Sequence, residues 1–419
     1  MFTLPHHVEF LSDDWLAEAG RFLEQETRVR KERLGGRPFS ISERFADAPP
    51  HLKLPGDVAG WAMHYDGERV EVSRDFDAAA DVVVEGDYQA ALMSAQFVGV
   101  LAPGGAAEMR RERDHLFGKE AVRVKGALAD EQAGQLLGAL HDHMARRTVE
   151  NPDLAHRAAR LGLSGKIREM EDQGYTVVER AISPTFADEV RAAILREIRL
   201  LSAPAMMWSL YHGREFERLA VNPKLMTLID ASLGRGAVIA SLASTVRGPG
   251  KGTIGLHTDY IHVPEPYPEF ALTGVGVWSF EDWTVAAGPT WLVPGSHRMR
   301  RGPKPGEARN GGVPIEMPKG SVVFFTHGVW HWQGDRSDPG ERVALHAHFN
   351  RGILRSLEPK RIDPQLLHRN PPRLGEMLGE DDMFDKMSAE GRDYLRGRYM
   401  GELLTFTQER KKAILEGAV

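Results

Sequence analysis

His257 and Asp259 stand two residues apart, His331 follows 74 positions later, and Arg342 lies eleven beyond that. A fold that uses these four side chains together must bring segments up to 85 residues apart to one point. Two imidazoles and one carboxylate are the side chains of the facial triad that holds non-haem Fe(II) and leaves coordination positions open. Guanidinium pairs bidentately with carboxylate, so Arg342 suits a dicarboxylic co-substrate. The set points to oxygenase chemistry.

The chain contains its own control. His64-Tyr65-Asp66 repeats the His-x-Asp spacing, but Asp66-Gly67 reads as a hairpin turn between two short alternating strands. Eleven positions beyond His115, His141 and His143 stand Gly126, Pro152 and Leu154, none of them an arginine. His327 rivals His331 as the second histidine ligand. The two are four apart and share a strand face only if the strand runs unbroken through Gly328. Eleven beyond His327 stands Asp338, which cannot bind an acid, so His331 is preferred. His346 and His348 fall on the Arg342 face of the next strand, either lining a pocket or as partly buried polar residues.

Two further segments lie between the ligand candidates: Ala287-Gly288-Pro289-Thr290-Trp291-Leu292-Val293-Pro294-Gly295-Ser296-His297, and Gly320-Ser321-Val322-Val323-Phe324-Phe325-Thr326-His327-Gly328-Val329-Trp330-His331. With His257-Thr258-Asp259 and Arg342, these motifs resemble the phytanoyl-CoA dioxygenase family of Fe(II)/2-oxoglutarate-dependent oxygenases over roughly residues 165 to 355. The resemblance implies a double-stranded β-helix (jelly-roll) core with flanking helices. It implies Fe(II) at His257, Asp259 and His331, the distal carboxylate of 2-oxoglutarate on Arg342, and O2 as the oxidant. Family chemistry decarboxylates 2-oxoglutarate to succinate and CO2 while the substrate is hydroxylated. Related halogenases lack the carboxylate, so Asp259 favours hydroxylation. Two positions depart from the family pattern. Ala287 replaces an asparagine, and Trp332-Gln333 replaces Gly-Ser, leaving Gln333 to stand in for a serine that reaches the co-substrate. Of Trp278, Trp291, Trp330 and Trp332, the resemblance favours Trp278 for a co-substrate contact.

Residues 1–148 read as α+β: a helix from Asp13 to Gln25, strands near Val70–Val72, 81–88 and 121–126, and helices near 91–95 and 136–144. With Phe10-Leu11-Ser12-Asp13-Asp14-Trp15-Leu16, this order resembles the sterol-carrier-protein-2-like domain, a sheet and helices around an apolar tunnel. That implies an apolar substrate of acyl, isoprenoid or steroid-like character. Residues 149–168 read as a linker with a short helix, and 169–419 as the oxygenase-like domain. Ser183-Pro184 opens a helix striped by Val190, Ile194, Ile198 and Leu201. Strands are expected at 237–247 and 272–279, with a proline-stiffened loop from Tyr260 to Phe270. From Asp381 onward Tyr394, Leu395, Tyr399, Met400, Leu403 and Leu404 pattern a covering or subunit-contact helix, compatible with a homo-oligomer.

Composition limits the alternatives. A net charge of -6 argues against nucleic acid as a partner, and the absence of cysteine excludes disulfides, zinc-thiolate sites and a catalytic thiol. No signal-peptide pattern opens the chain and no apolar run reaches membrane-span length, so a soluble, cytoplasmic protein is expected. Two other readings remain: a lipid-binding or transfer protein with a vestigial oxygenase domain, and a jelly-roll enzyme using another metal, against which Arg342 speaks.

Overall fold

A computed structural model describes residues 7–52, 58–99, 104–307, 309–356, 363–380 and 407–418. The segment 381–404, where the sequence patterns a tail helix, lies outside them. The chain divides into two compact units, Met1–Pro152 with Ile362–Gly375, and Asp153–Arg361 with Glu376–Val419. No helix among the described residues is long and apolar enough to cross a membrane.

In the first unit, helix α1 (Asp13–Val29) starts where the Ser12 side chain accepts the Trp15 N–H, with Asp13 and Asp14 in the first turn. It buries Trp15, Leu16, Ala19 and Leu23. Five strands follow: β1 (Phe39–Ala46), β2 (Val58–Tyr65), β3 (Val70–Ser73), β4 (Val82–Asp87) and β5 (Val122–Gly126), in the order β3-β2-β1-β4-β5. Within this sheet β1 and β4 pair in parallel and the other neighbours pair antiparallel. Helices α2 (Tyr88–Ala95), α3 (Gly105–Phe117) and α4 (Glu131–Ala145) also belong to this unit. His64 pairs with Glu71 beside a hairpin in which the Asp66 N–H reaches the Arg69 carbonyl, as the turn pattern predicts.

A cavity of about 280 Å³ lies within this unit, lined by Phe10, Trp15, Phe45, Trp61, Leu140 and Met144. One carboxyl, Glu43, interrupts the apolar wall and accepts the Trp61 indole N–H at 2.8 Å. Burial pushes the Glu43 acid up to about 6, a shift the indole hydrogen bond only partly opposes. A raised acid favours the fold below its unfolded-state value and loses that contribution as pH climbs through about 6. Glu43→Gln is therefore expected to be more stable than wild type by about 2 kcal/mol above that pH. The gap should close below pH 4.5. Urea unfolding from pH 4 to 8 reads this directly; a difference that does not vary with pH would contradict it.

The second unit is mixed α/β. The span 149–168, read from sequence as a linker, carries helix α5 (Leu154–Arg160) and the start of α6 (Ser164–Gln173). Asp153 caps α5, and Leu154, Ala155, Ala158 and Ile167 are buried. Strand β6 (Tyr175–Val178) precedes α7 (Pro184–Leu201), which begins with Ser183 accepting the Phe186 N–H and buries Phe186, Val190, Ile194 and Ile198. Strand β7 (Ala205–Met206) and helix α8 (Pro223–Leu233) follow. The remaining strands are β8 (Val238–Arg247), β9 (Thr273–Ser279), β10 (Thr290–Leu292), β11 (Val313–Pro314), β12 (Val322–Thr326), β13 (His331–Gln333) and β14 (Arg342–Asn350).

These strands form a six-stranded sheet, β6-β12-β9-β14-β8-β7, and a three-stranded sheet, β11-β10-β13. Val275, Val277, Val323, Phe325 and Ala344 of the larger sheet share a core with Leu292 of the smaller and with Val329 and Trp283. The opposite face of β9 packs on α8: a Cβ on Gly276 would lie 2.8 Å from Leu225 Cδ1, so a larger residue there would make the Leu225 side chain shift.

Candidate metal centre

Backbone pairing assembles the site before any side chain is considered. His257 N–H bonds the His331 carbonyl at 3.0 Å and His331 N–H bonds the His257 carbonyl at 2.9 Å. Residues directly opposite in an antiparallel pair point to the same face, so the two imidazoles lie side by side with ring centroids 4.1 Å apart. Asp259, two residues on, projects to that same face, and its N–H bonds the His327 carbonyl at 3.1 Å. Asp259 Oδ1 lies 3.5 Å from His257 Nε2 and 3.7 Å from His331 Nε2. One ligand atom from each of the three residues falls within 4.8 Å of the other two, a group able to hold a metal ion.

The tautomers are set locally. His257 Nδ1 lies 2.8 Å from the Gly255 carbonyl and His331 Nδ1 lies 3.0 Å from the Val329 carbonyl. A carbonyl only accepts, so each Nδ1 carries a hydrogen and each Nε2 is left facing Asp259. Burial pushes His331 down to about 4, so its ring is neutral at physiological pH. Burial also opposes protonation of His257, but its bonds to Asp259 and the Gly255 carbonyl outweigh that and raise its value. Burial alone would raise Asp259; the His257 bond and the surrounding imidazoles instead hold it well below the usual carboxylate range.

His327 is not excluded by His331. The strand expected over 321–331 breaks after Thr326, where the chain turns with Val329 N–H bonded to the Thr326 carbonyl. The chain thereby leaves the larger sheet and enters the smaller one. His327 at the turn reaches the other oxygen of the aspartate, with Nε2 at 3.4 Å from Asp259 Oδ2. His348, which faces Val275 across the larger sheet, brings Nδ1 to 3.3 Å from His327 Nε2. Its part in this cluster was open in the sequence, because nothing there signals that β14 passes beside the turn.

Arg342 lies two residues before Ala344 on the interior face of β14 and is 3% exposed. It donates from Nη1 to the Gly288 carbonyl, and its guanidinium sits 4.8 Å over the Trp283 ring. Its Nε has no hydrogen-bond partner among the described residues. Burial pushes Arg342 down to about 10, with Arg247 and Arg336 adding repulsion that Glu281 only partly offsets. Neither Trp283 nor the neighbouring arginines carried a signal in the sequence.

Two expected co-substrate contacts fare differently. Gln333 follows His331 by two on β13, and its side-chain oxygen accepts from Thr253 N–H at 2.9 Å and the Thr253 hydroxyl at 3.0 Å, leaving its amide NH2 as a donor. Trp278 is not brought to the group. Val277 opposes His346 in the sheet register and lies in the interior core, so Trp278, one residue on, turns to the face shared with Gly276, toward α8. It is completely buried there.

Comparison with known proteins fits this geometry. Residues 170–342 match the phytanoyl-CoA dioxygenase (PhyH) family. The matched span contains His257, Asp259, His331 and, at its last position, Arg342. The chain is similar to dioxygenase af480 of Aspergillus fumigatus, 26% identical over 165 residues. That alignment covers 38% of this chain and 53% of the fungal protein, so the chain spans about half the length of that relative. Among solved structures it is similar to the non-haem alpha-ketoglutarate-dependent epimerase SnoN from nogalamycin biosynthesis, at 18% identity and TM-score 0.38, over 45% of this chain and 82% of SnoN. It is also similar to HygX of Streptomyces hygroscopicus with nickel and 2-oxoglutarate bound, at 13% identity and TM-score 0.36, over 43% of this chain and 83% of HygX.

Proposed function

We propose that this protein is an Fe(II)/2-oxoglutarate-dependent dioxygenase that hydroxylates an apolar small molecule. The observation that carries the reading is the convergence of His257, Asp259 and His331 within 4.8 Å of one another. Two neutral imidazoles and one carboxylate on a single face are the donor set Fe(II) takes in oxygenases. The donors fit the ion, and the buried, unpartnered Nε of Arg342 fits a dicarboxylic co-substrate. When bound, iron supplies the oxygen chemistry and 2-oxoglutarate the electrons, leaving as succinate and CO2.

The protein binds, orients and excludes water. Arg342 pairs with the distal carboxylate of 2-oxoglutarate, and the Gln333 amide donates a second hydrogen bond to it. Apolar residues of the interior face, Val275, Val277 and Phe325 among them, keep water from the reacting groups. We further propose that residues 1–148 form a sterol-carrier-protein-2-like domain, for which the cavity around Glu43 is the support, and that residues 169–419 form the oxygenase domain with its two sheets as a jelly roll. The substrate class follows from that cavity wall.

Anaerobic addition of Fe(II) and then 2-oxoglutarate is expected to raise a visible charge-transfer band, and admitting O2 should release succinate. Protein with one Fe(II) bound that shows neither would reject the reading.

A further inference from the structure

Asp259 faces two groups of imidazoles, one at each carboxylate oxygen. Oδ1 is directed to His257 and His331, while Oδ2 lies 3.4 Å from His327 Nε2. His327 Nε2 is in turn 3.3 Å from His348 Nδ1. Asp259, His327 and His348 thus bring three ligand atoms within 4.8 Å of one another, a second group with the composition of a metal site. We propose that this group binds a second divalent transition ion of the zinc type, bridged to the first site by the Asp259 carboxylate.

Three features support it. Zinc bonds of about 2.0–2.2 Å to nitrogen and oxygen set the edges of a tetrahedron at roughly 3.3–3.5 Å, and the two distances centred on His327 Nε2 fall in that range. His327 is buried and His348 half-buried, so the cluster is largely withdrawn from competing solvent. The far nitrogen of His327 is held by the Thr273 hydroxyl, the kind of outer contact that fixes a ligating ring with Nε2 toward the ion. A fourth position is left for water or an exogenous ligand. The inference touches the oxygenase reading only through Asp259, which both groups share.

Equilibrium dialysis of the full chain against Zn(II), with metal measured per chain, tests it. Wild type is expected to take up two ions, His348→Ala one, and His257→Ala one. Co(II) in place of Zn(II) should give the intense visible absorption of a four-coordinate site in wild type and His257→Ala, and lose it in His348→Ala. Saturation of wild type at one ion, or two ions retained by folded His348→Ala, would overturn the proposal. If His348→Ala does not fold, wild type at two ions and His257→Ala at one, with the Co(II) absorption kept, still support it. Succinate formation by a protein that binds one ion would reject the second site and leave the oxygenase reading standing; two ions without any 2-oxoglutarate turnover would do the reverse.

Discussion

Asp259→Ala is expected to reduce succinate formation by more than about a hundredfold and to weaken Fe(II) binding in parallel. Losing even an outer partner of a metal ligand typically costs 10–100-fold, and here a ligand itself is removed. Asp259 is the only carboxylate in the group; without it two neutral imidazoles face a divalent ion with nothing to balance its charge. The substitution removes both oxygens at once, so the His327 contact goes with the His257 and His331 contacts. His331→Ala should match it in turnover while sparing the His327–Asp259 contact. Fe(II) titration under argon and a succinate assay separate binding from turnover. Turnover within threefold of wild type in either variant would remove that residue from the metal centre.

Arg342→Leu is expected to raise the KM for 2-oxoglutarate by roughly a hundredfold to several thousandfold, since breaking a buried charge pair costs about 3–5 kcal/mol. Fe(II) affinity without co-substrate should hardly change. The substitution carries a second signature. In the free protein the guanidinium is buried beside Arg247 and Arg336, with its Nε unpartnered. Removing a buried cation that Glu281 only partly compensates relieves a desolvation cost that offsets the lost Gly288 and Trp283 contacts, so the variant without 2-oxoglutarate should be close to wild type in stability. Arg342→Lys is not expected to rescue binding, because an ammonium cannot form the two parallel bonds of a guanidinium. A KM for 2-oxoglutarate within threefold of wild type in Arg342→Leu would assign the arginine a purely structural place.

Local signals in the sequence transferred well to the structure. Ser183-Pro184 marks a helix start by a cap and a fixed φ, and α7 begins there. Asp66-Gly67 marks a hairpin by turn chemistry, and this separates His64 from the metal-capable groups among the described residues. The errors occur where a local rule meets a change of direction. The run from Val322 to His331 alternates like one strand, yet it turns at His327 to change sheets. Trp278 was favoured for the site by the family resemblance, but the facing of a strand depends on which side its neighbours cover. Here Leu225 of α8 closes the Trp278 side at Gly276.

Residue types and their spacing alone determined that two imidazoles, a carboxylate and a guanidinium were available for metal and acid binding. Only the tertiary structure decided their partners: that His331 pairs with His257 across a backbone ladder, that His327 and His348 share the aspartate from its other side, and that Arg342 lies among cations with a donor to spare. The physical reason is that donor chemistry belongs to each side chain, whereas burial and facing depend on strands far apart in the chain, whose pairing is set by the packing of both sheets.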